Sequence, residues 1–152
     1  MNYWLAKSEE SCYSICDLKR DKFASWTGVR NYQARNFLRD MKKGDLVLFY
    51  HSSTDVVGVA GVAKVTSEAT PDETQFDKKD DHFDPKATHE KPIWLAPELS
   101  FEEKFPKIVT LGQIKIDPKL AGIGVAARGS RLSVMPVSEK HFARILELSK
   151  RK

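Results

Sequence analysis

The chain has 152 residues, which suits one domain with its own hydrophobic core, and we predict a single domain over 1–152. Apolar residues make up 41% and charged residues 30% of the chain, a composition that argues against disorder. The net charge of +4 favours anionic partners, and the longest apolar runs, 46–50 and 56–63, are far shorter than the roughly 20 residues of a membrane helix. The first residues do not resemble a secretory signal, so we predict a cytoplasmic protein without a membrane partner.

The N-terminal third is predicted to hold a strand and two helices. Tyr3–Lys7 alternates aromatic and aliphatic residues, which predicts a strand, and Ser11 or Ser14 can cap a short helix after it. An amphipathic helix is predicted within 29–41, with Gly44 as its stop. One side of this helix carries an apolar stripe of Tyr32, Phe37, Leu38 and Met41. The other side carries three cations, Arg35, Arg39 and Lys42.

The middle of the chain is predicted to form a β-hairpin followed by a long ordered loop. The segments 46–50 and 58–65 are rich in valine and other strand-forming residues, and a polar turn joins them. Gly58 and Gly61 are predicted to mark bulges or sharp bends in the second strand. The prolines and charges of 70–92 predict the loop.

The C-terminal part is predicted to add strands and two helices. One or two strands are expected within 94–105, with Pro97 and Pro106 confined to sheet edges or strand ends. A short helix should follow Thr110, and a last strand over 132–137 should lead into a final helix. Because strands dominate and helices intervene irregularly, we predict an α+β fold built on a small barrel.

Several polar and aromatic residues could hold a planar ligand. Trp26 offers a flat face on which a base could stack, although a core tryptophan is the simpler interpretation. Lys7, Ser8 and Glu9 place a cation, a hydroxyl and a carboxylate at one strand end, where they could read a base edge or be merely solvated.

Four further residues could hold phosphate at the rim of such a site. Arg30 and Asn31 precede a predicted helix start, although Asn31 could simply be the helix cap. Arg128 and Arg131 could clamp a phosphate in bidentate fashion, and surface salt bridges would explain them equally well.

Signatures of catalysis and of metal binding are missing from the sequence. His51, Ser52 and Asp55 lie close together but lack a nucleophile elbow, and neither a phosphate-binding P-loop nor a dinucleotide fingerprint occurs. Cys12 and Cys16, the two cysteines, match no zinc or redox spacing. We therefore predict no catalytic residue, no metal ion and no cofactor.

Three segments carry a family resemblance: YWLAKSEES, WTGVRNYQARNFLRDMKKGDLVLFYHSS and RGSRLSVMPV. In their order and spacing, which extend over nearly the whole chain, they resemble the EVE domain family. The resemblance implies a PUA-like fold, a curved β-barrel of about five to six strands with surrounding helices, as in the related YTH domains.

The resemblance also implies where a ligand would bind. The pocket would lie between Trp26 and the strand end formed by Lys7, Ser8 and Glu9. Four residues would complete its wall and rim: His51, Ser52, Arg128 and Ser130. EVE domains are associated with modified bases, notably modified cytosines in DNA.

Together, these features predict a non-catalytic nucleic-acid-binding module that holds a modified nucleobase in an aromatic-lined pocket with a basic rim. DNA and RNA both stay open as the partner, as does the oligomeric state. The main alternative is an enzyme that acts on a modified nucleotide or small metabolite, with Glu9 or His51 as general acid or base.

Overall fold

The computed structural model describes residues 1–129 and 131–151, which form six strands and four α-helices. The strands are β1 (Tyr3–Glu9), β2 (Phe23–Ser25), β3 (Leu46–Ser52), β4 (Gly58–Pro71), β5 (Leu95–Thr110) and β6 (Val134–Val137). The α-helices are α1 (Ile15–Asp21), α2 (Tyr32–Asp40), α3 (Leu111–Ile116) and α4 (Glu139–Ser149). Three short 3-10 turns cover Glu73–Phe76, Pro118–Leu120 and Gly124–Ala126.

All six strands belong to one mixed sheet in the order β2-β5-β4-β3-β1-β6. Neighbouring strands are antiparallel except β1 and β3, which are parallel. The predicted α+β class and the β3–β4 hairpin are therefore confirmed. Within the described residues β2 and β6 do not pair with each other, so the sheet is open where a closed barrel was expected. These edge strands have only three and four residues and offer few backbone groups for pairing.

Both faces of the sheet are buried, which explains the unbroken apolar runs in its strands. Along β1, Trp4 and Ala6 belong to one core cluster and Leu5 to the other. Residues of α1 and α2 complete the first cluster, and residues of α3 and α4 complete the second. Because successive side chains of a strand point to opposite faces, every strand except the short, largely exposed β2 supplies both clusters.

Bulges allow β4 and β5 to run as two long paired strands. The register of β4 shifts between Val59 and Gly61, which confirms a predicted bulge. Pro97 and Pro106 lie in a single strand, β5, which pairs with β2 only over 98–100, so both prolines stand at an edge of the sheet, as predicted. Pairing with β4 is irregular beside both prolines, since proline has no N–H to donate to the ladder.

Gly61, like Gly58, lies where the β5 backbone comes very close to β4. A Cβ atom at this position would overlap the carbonyl oxygen of Glu103 and would come within 2.9 Å of Ile15 Cγ1. We expect Gly61→Ala to lower the free energy of unfolding by about 1 to 3 kcal/mol, measured by denaturant titration. Gly112→Ala is the matched control, because its Cβ would meet nothing closer than 3.8 Å in α3. Equal unfolding midpoints for Gly61→Ala and the unaltered protein would contradict the prediction.

The start of α2 differs from the predicted stripe in one residue. Asn31 caps the helix, Leu38 is fully buried, and Met41 is its buried C-cap. Tyr32, however, is 58% exposed, because the first helical residue turns its ring sideways onto Trp94, at 5.0 Å between ring centroids. Gly44 does not end the helix; with φ at +97° it forms the turn into β3.

Candidate functional site

A pocket of about 600 Å³ opens where the end of β1 meets the segment between β2 and α2. Its size lies within the usual range of small-ligand sites, roughly 300 to 1,000 Å³. Fourteen residues line it: Lys7, Ser8, Glu9, Cys12, Tyr13, Ala24, Ser25, Trp26, Thr27, Gly28, Val29, Arg30, His82 and Ser133. Four of the six predicted base-pocket residues are therefore brought together here.

The end of β1 is fixed by backbone and side-chain hydrogen bonds. The Lys7 N–H donates to Ser133 O at 2.8 Å, which ties β1 to the segment before β6. The Ser8 hydroxyl donates to Tyr13 O at 2.7 Å, so its oxygen can still accept a hydrogen bond from a ligand. Burial lowers the pKa of Lys7, whose ammonium lies 5.6 Å from the Tyr50 ring centroid. Glu9 is exposed at the pocket mouth.

Trp26 is both a core residue and a pocket residue. Its side chain is only 7% exposed, and its ring meets Phe49 edge-on at 5.4 Å between centroids. Its backbone N–H donates to Pro97 O, which anchors the segment to β5. Trp26 therefore belongs to the core and also lines the pocket, and the stacking of a base on its ring stays a prediction.

The Arg30 guanidinium fixes the wall of the pocket and is fully hydrogen-bonded within the protein. Its five N–H groups donate to His82 O twice and once each to Val29 O, Asp72 Oδ2 and Thr74 Oγ1. No N–H remains for a phosphate. The structure therefore gives Arg30 a different role from the predicted phosphate contact: it links the pocket to the long loop.

Asp72 is the buried centre of this network. Its carboxylate accepts from Gly28 N at 2.8 Å, Arg30 Nη1 at 3.0 Å, and both the N–H and the hydroxyl of Thr74. Burial by itself would raise the pKa of Asp72, but the hydrogen bonds from Thr74, Gly28 and Arg30 outweigh burial and lower it. The group is therefore an anion that organises the pocket wall.

Sequence reasoning missed the pocket residues that come from loops. His82 approaches from the long loop, and a Cβ on Gly28 would come within 2.9 Å of its Nε2. Gly28 adopts φ of +85°, a backbone conformation that favours glycine. Tyr13, whose pKa is raised to about 12 by burial and by its bond to Asp21, follows β1 directly. Only the glycine in WTGVR offered a signal in the sequence.

His51 and Ser52 lie outside the pocket lining. His51 is 3% exposed and its Nε2 accepts the N–H of Ile15 at 3.1 Å, which satisfies a donor in the first turn of α1. Burial lowers the pKa of His51 more than nearby Glu10 raises it, so the ring is neutral at pH 7. Of the two acid–base candidates, Glu9 alone therefore lines the pocket.

Three of the remaining predicted rim residues, Asn31, Arg128 and Arg131, are absent from the pocket lining. Asn31 caps α2 by accepting the Ala34 N–H at 2.9 Å, one of the two roles considered for it. Arg128 and Arg131 are exposed on the segment before β6, and their phosphate contacts stay a prediction. Ser130 lies outside the described residues.

No helix in residues 1–129 and 131–151 is long and apolar enough to cross a membrane. In the same residues, no three side chains of histidine, cysteine, aspartate or glutamate come together as a possible metal site. The cytoplasmic location stays a prediction.

Comparison with known proteins identifies the family. The model of the EVE domain matches residues 2–148. The chain belongs to the EVE domain family. This EVE domain is 38% identical to mouse thymocyte nuclear protein 1 over 97% of the chain and 73% of the mouse protein.

Solved EVE domain structures superpose closely on the chain. A protein of Pseudomonas syringae is 47% identical, with a TM-score of 0.95 over 97% of this chain and 99% of that one. Human THYN1 protein, crystallised in complex with 5-methylcytosine containing DNA, is 35% identical, with a TM-score of 0.91 over 100% of this chain and 99% of that one.

Proposed function

We propose that this protein is a non-catalytic nucleic-acid-binding module that holds a modified nucleobase in the pocket lined by Trp26. The observation that carries the proposal is the pocket itself, because it combines an indole, a half-buried lysine and an exposed carboxylate at a volume that fits a small planar ligand. A relative of the same fold, the human THYN1 protein, was crystallised with DNA that contains 5-methylcytosine.

The pocket chemistry suits a base that has been turned out of a nucleic acid strand. Stacking on an aromatic side chain contributes about 1 to 3 kcal/mol per base, which offsets the few kcal/mol needed to unstack it. Lys7 supplies donors and Glu9 supplies acceptors, so together they can read both kinds of group on the polar edge of a base. Ser8 adds a further acceptor.

A methyl group on the base would find apolar surface in this pocket. Ala24, Trp26 and Val29 all contribute to the lining. Burying one added methyl contributes about 1 kcal/mol, which corresponds to about a fivefold preference for the methylated base. We therefore take 5-methylcytosine as the first probe.

The enzyme alternative requires a second catalytic group beside Glu9. His51 is engaged with Ile15 under α1. The exposed Glu9 carboxylate accepts a hydrogen bond from the exposed Cys12 thiol at 3.5 Å, and among the described residues no histidine is hydrogen-bonded to it, so an acid–base pair is missing. A binding module needs no such partner, so the geometry favours binding over turnover. Chromatography of modified nucleosides after incubation with the protein would reveal turnover.

Binding to a panel of otherwise identical oligonucleotides tests the proposal. The panel carries cytosine or 5-methylcytosine, and adenine or N6-methyladenine, at one position in DNA and in RNA, and each affinity is measured at two salt concentrations. We expect at least about a fivefold preference for one modified base at both salt concentrations. If modified and unmodified oligonucleotides bind with equal affinity, and both affinities fall as salt rises, binding comes only from the basic surface and the proposal is refuted.

A further inference from the structure

A second aromatic surface lies next to the pocket, at the start of α2. Tyr32 is 58% exposed, and its ring lies on Trp94 at 5.0 Å with an interplanar angle of 32°. The Arg30 guanidinium, which lines the pocket, is 5.4 Å from the same Trp94 ring. Trp94 therefore joins the pocket wall to Tyr32 in one stacked series. Beyond Trp94, the Tyr32 side chain is largely exposed to solvent.

Two arginines on the same helix extend this surface with positive charge. Arg35 lies 5.0 Å from the Tyr32 ring centroid, and Arg39 follows one turn later, about 6 Å further along the helix. Within residues 1–129 and 131–151, neither forms an ion pair with a carboxylate. Of five N–H groups each, Arg35 uses three on Ile93 O and Asn36 Oδ1, and Arg39 uses one on Asn36 Oδ1.

Stability alone gives little reason for this arrangement, which points to a ligand. Like charges four residues apart on a helix destabilise it slightly, and an exposed tyrosine gains little from burial. An exposed ring flanked by cations with spare donors is the combination by which proteins bind a nucleic acid strand, with bases stacking and phosphates pairing.

We propose that the α2 surface formed by Tyr32, Arg35 and Arg39 binds the strand that flanks the base held in the pocket. Tyr32 stacks the neighbouring nucleotide, and Arg35 and Arg39 bind its phosphates. This inference rests on the proposed function and assigns to α2 the phosphate contacts that Arg30 cannot make. Charge complementarity favours nucleic acid over an apolar protein partner for this surface.

The test compares variants of α2 with charge-matched variants on the opposite face of the sheet. Tyr32→Ala should weaken binding to a modified oligonucleotide by at least about fivefold, whereas Tyr32→Phe, which keeps the ring, should bind like the unaltered protein. The double variant Arg35→Gln, Arg39→Gln should lower the slope of log K against log salt by about 1.5. Lys115→Gln with Lys140→Gln, on α3 and α4, removes the same charge and should leave the slope unchanged.

The free nucleoside separates this surface from the pocket. All α2 variants should retain the affinity of the unaltered protein for 5-methylcytidine, because the nucleoside has no flanking strand. The α2 proposal would be overturned if the α2 variants kept the oligonucleotide affinity and the salt slope of the unaltered protein. It would also be overturned if they lost affinity for the nucleoside as much as for the oligonucleotide. Absence of base preference in the unaltered protein would instead refute the proposed function, and the salt slope would still decide whether α2 contacts the strand.

Discussion

Replacing Trp26 with leucine is expected to remove most base-dependent binding from a chain that stays folded. Leucine fills much of the buried volume beside Phe49 but has no flat face, so the stacking contribution of about 1 to 3 kcal/mol is lost. Affinity for the preferred modified oligonucleotide should fall about 5- to 150-fold, measured by fluorescence anisotropy. Trp26→Ala is the poorer test, because a cavity in place of an indole costs about 3 to 5 kcal/mol.

A core variant away from the pocket shows whether the loss comes from binding or from stability. Leu48 is fully buried in the other core cluster, so Leu48→Ala should cost about 2 to 5 kcal/mol of unfolding free energy and keep its base preference. Trp26→Leu should instead lose its base preference and keep most of its unfolding free energy. Full base preference in Trp26→Leu would show that the indole serves the core alone.

Asp72→Asn is expected to destabilise the fold strongly, although it changes only one oxygen to an amide nitrogen. An amide cannot accept all four hydrogen bonds, so its NH₂ would face either the donors of Gly28 and Arg30 or those of Thr74. Loss of the anion also leaves the Arg30 guanidinium, with a side chain only 21% exposed, without its ion-pair partner. We expect a loss of about 3 to 5 kcal/mol in unfolding free energy, measured by denaturant titration.

Acid should diminish the difference between Asp72→Asn and the unaltered protein. Because the folded state lowers the pKa of Asp72, its stabilising contribution is complete above the unfolded value, near 4, and disappears as pH falls through the folded value. In unfolding titrations between pH 7 and 3, the unfolding free energies of Asp72→Asn and the unaltered protein should therefore approach each other as the pH falls. Glu68→Gln, which removes an exposed partner of Lys42, should have no measurable effect at any pH. A constant difference between Asp72→Asn and the unaltered protein would contradict the pKa argument.

Local signals in the sequence predicted the elements well wherever a short-range cause existed. Thr110 with Gln113 forms a capping box at the start of α3, and Ser14 with Asp17 does the same for α1, so both helix starts depend on residues three positions apart. The alternating pattern of β1 and the hairpin of β3 and β4 likewise depend on neighbours along the chain. The irregular pairing of β5 with β4 beside Pro97, by contrast, depends on the long-range register of the two strands, which a local pattern does not show.

The same distinction between short-range and long-range causes applies to the candidate site. Through its family motifs, which are short-range features, the sequence by itself predicted that Lys7, Ser8, Glu9 and Trp26 share a pocket, and all four line the same one. Only the tertiary structure decided three features: His51 accepts a hydrogen bond from α1, and the Arg30 guanidinium donates its N–H groups to Asp72 and the long loop. The third is that His82 and Ser133 line the same pocket. The physical reason is that each side chain has a fixed number of hydrogen-bond donors. Which acceptors they bind depends on contacts between residues more than 30 positions apart, which a local sequence pattern does not show.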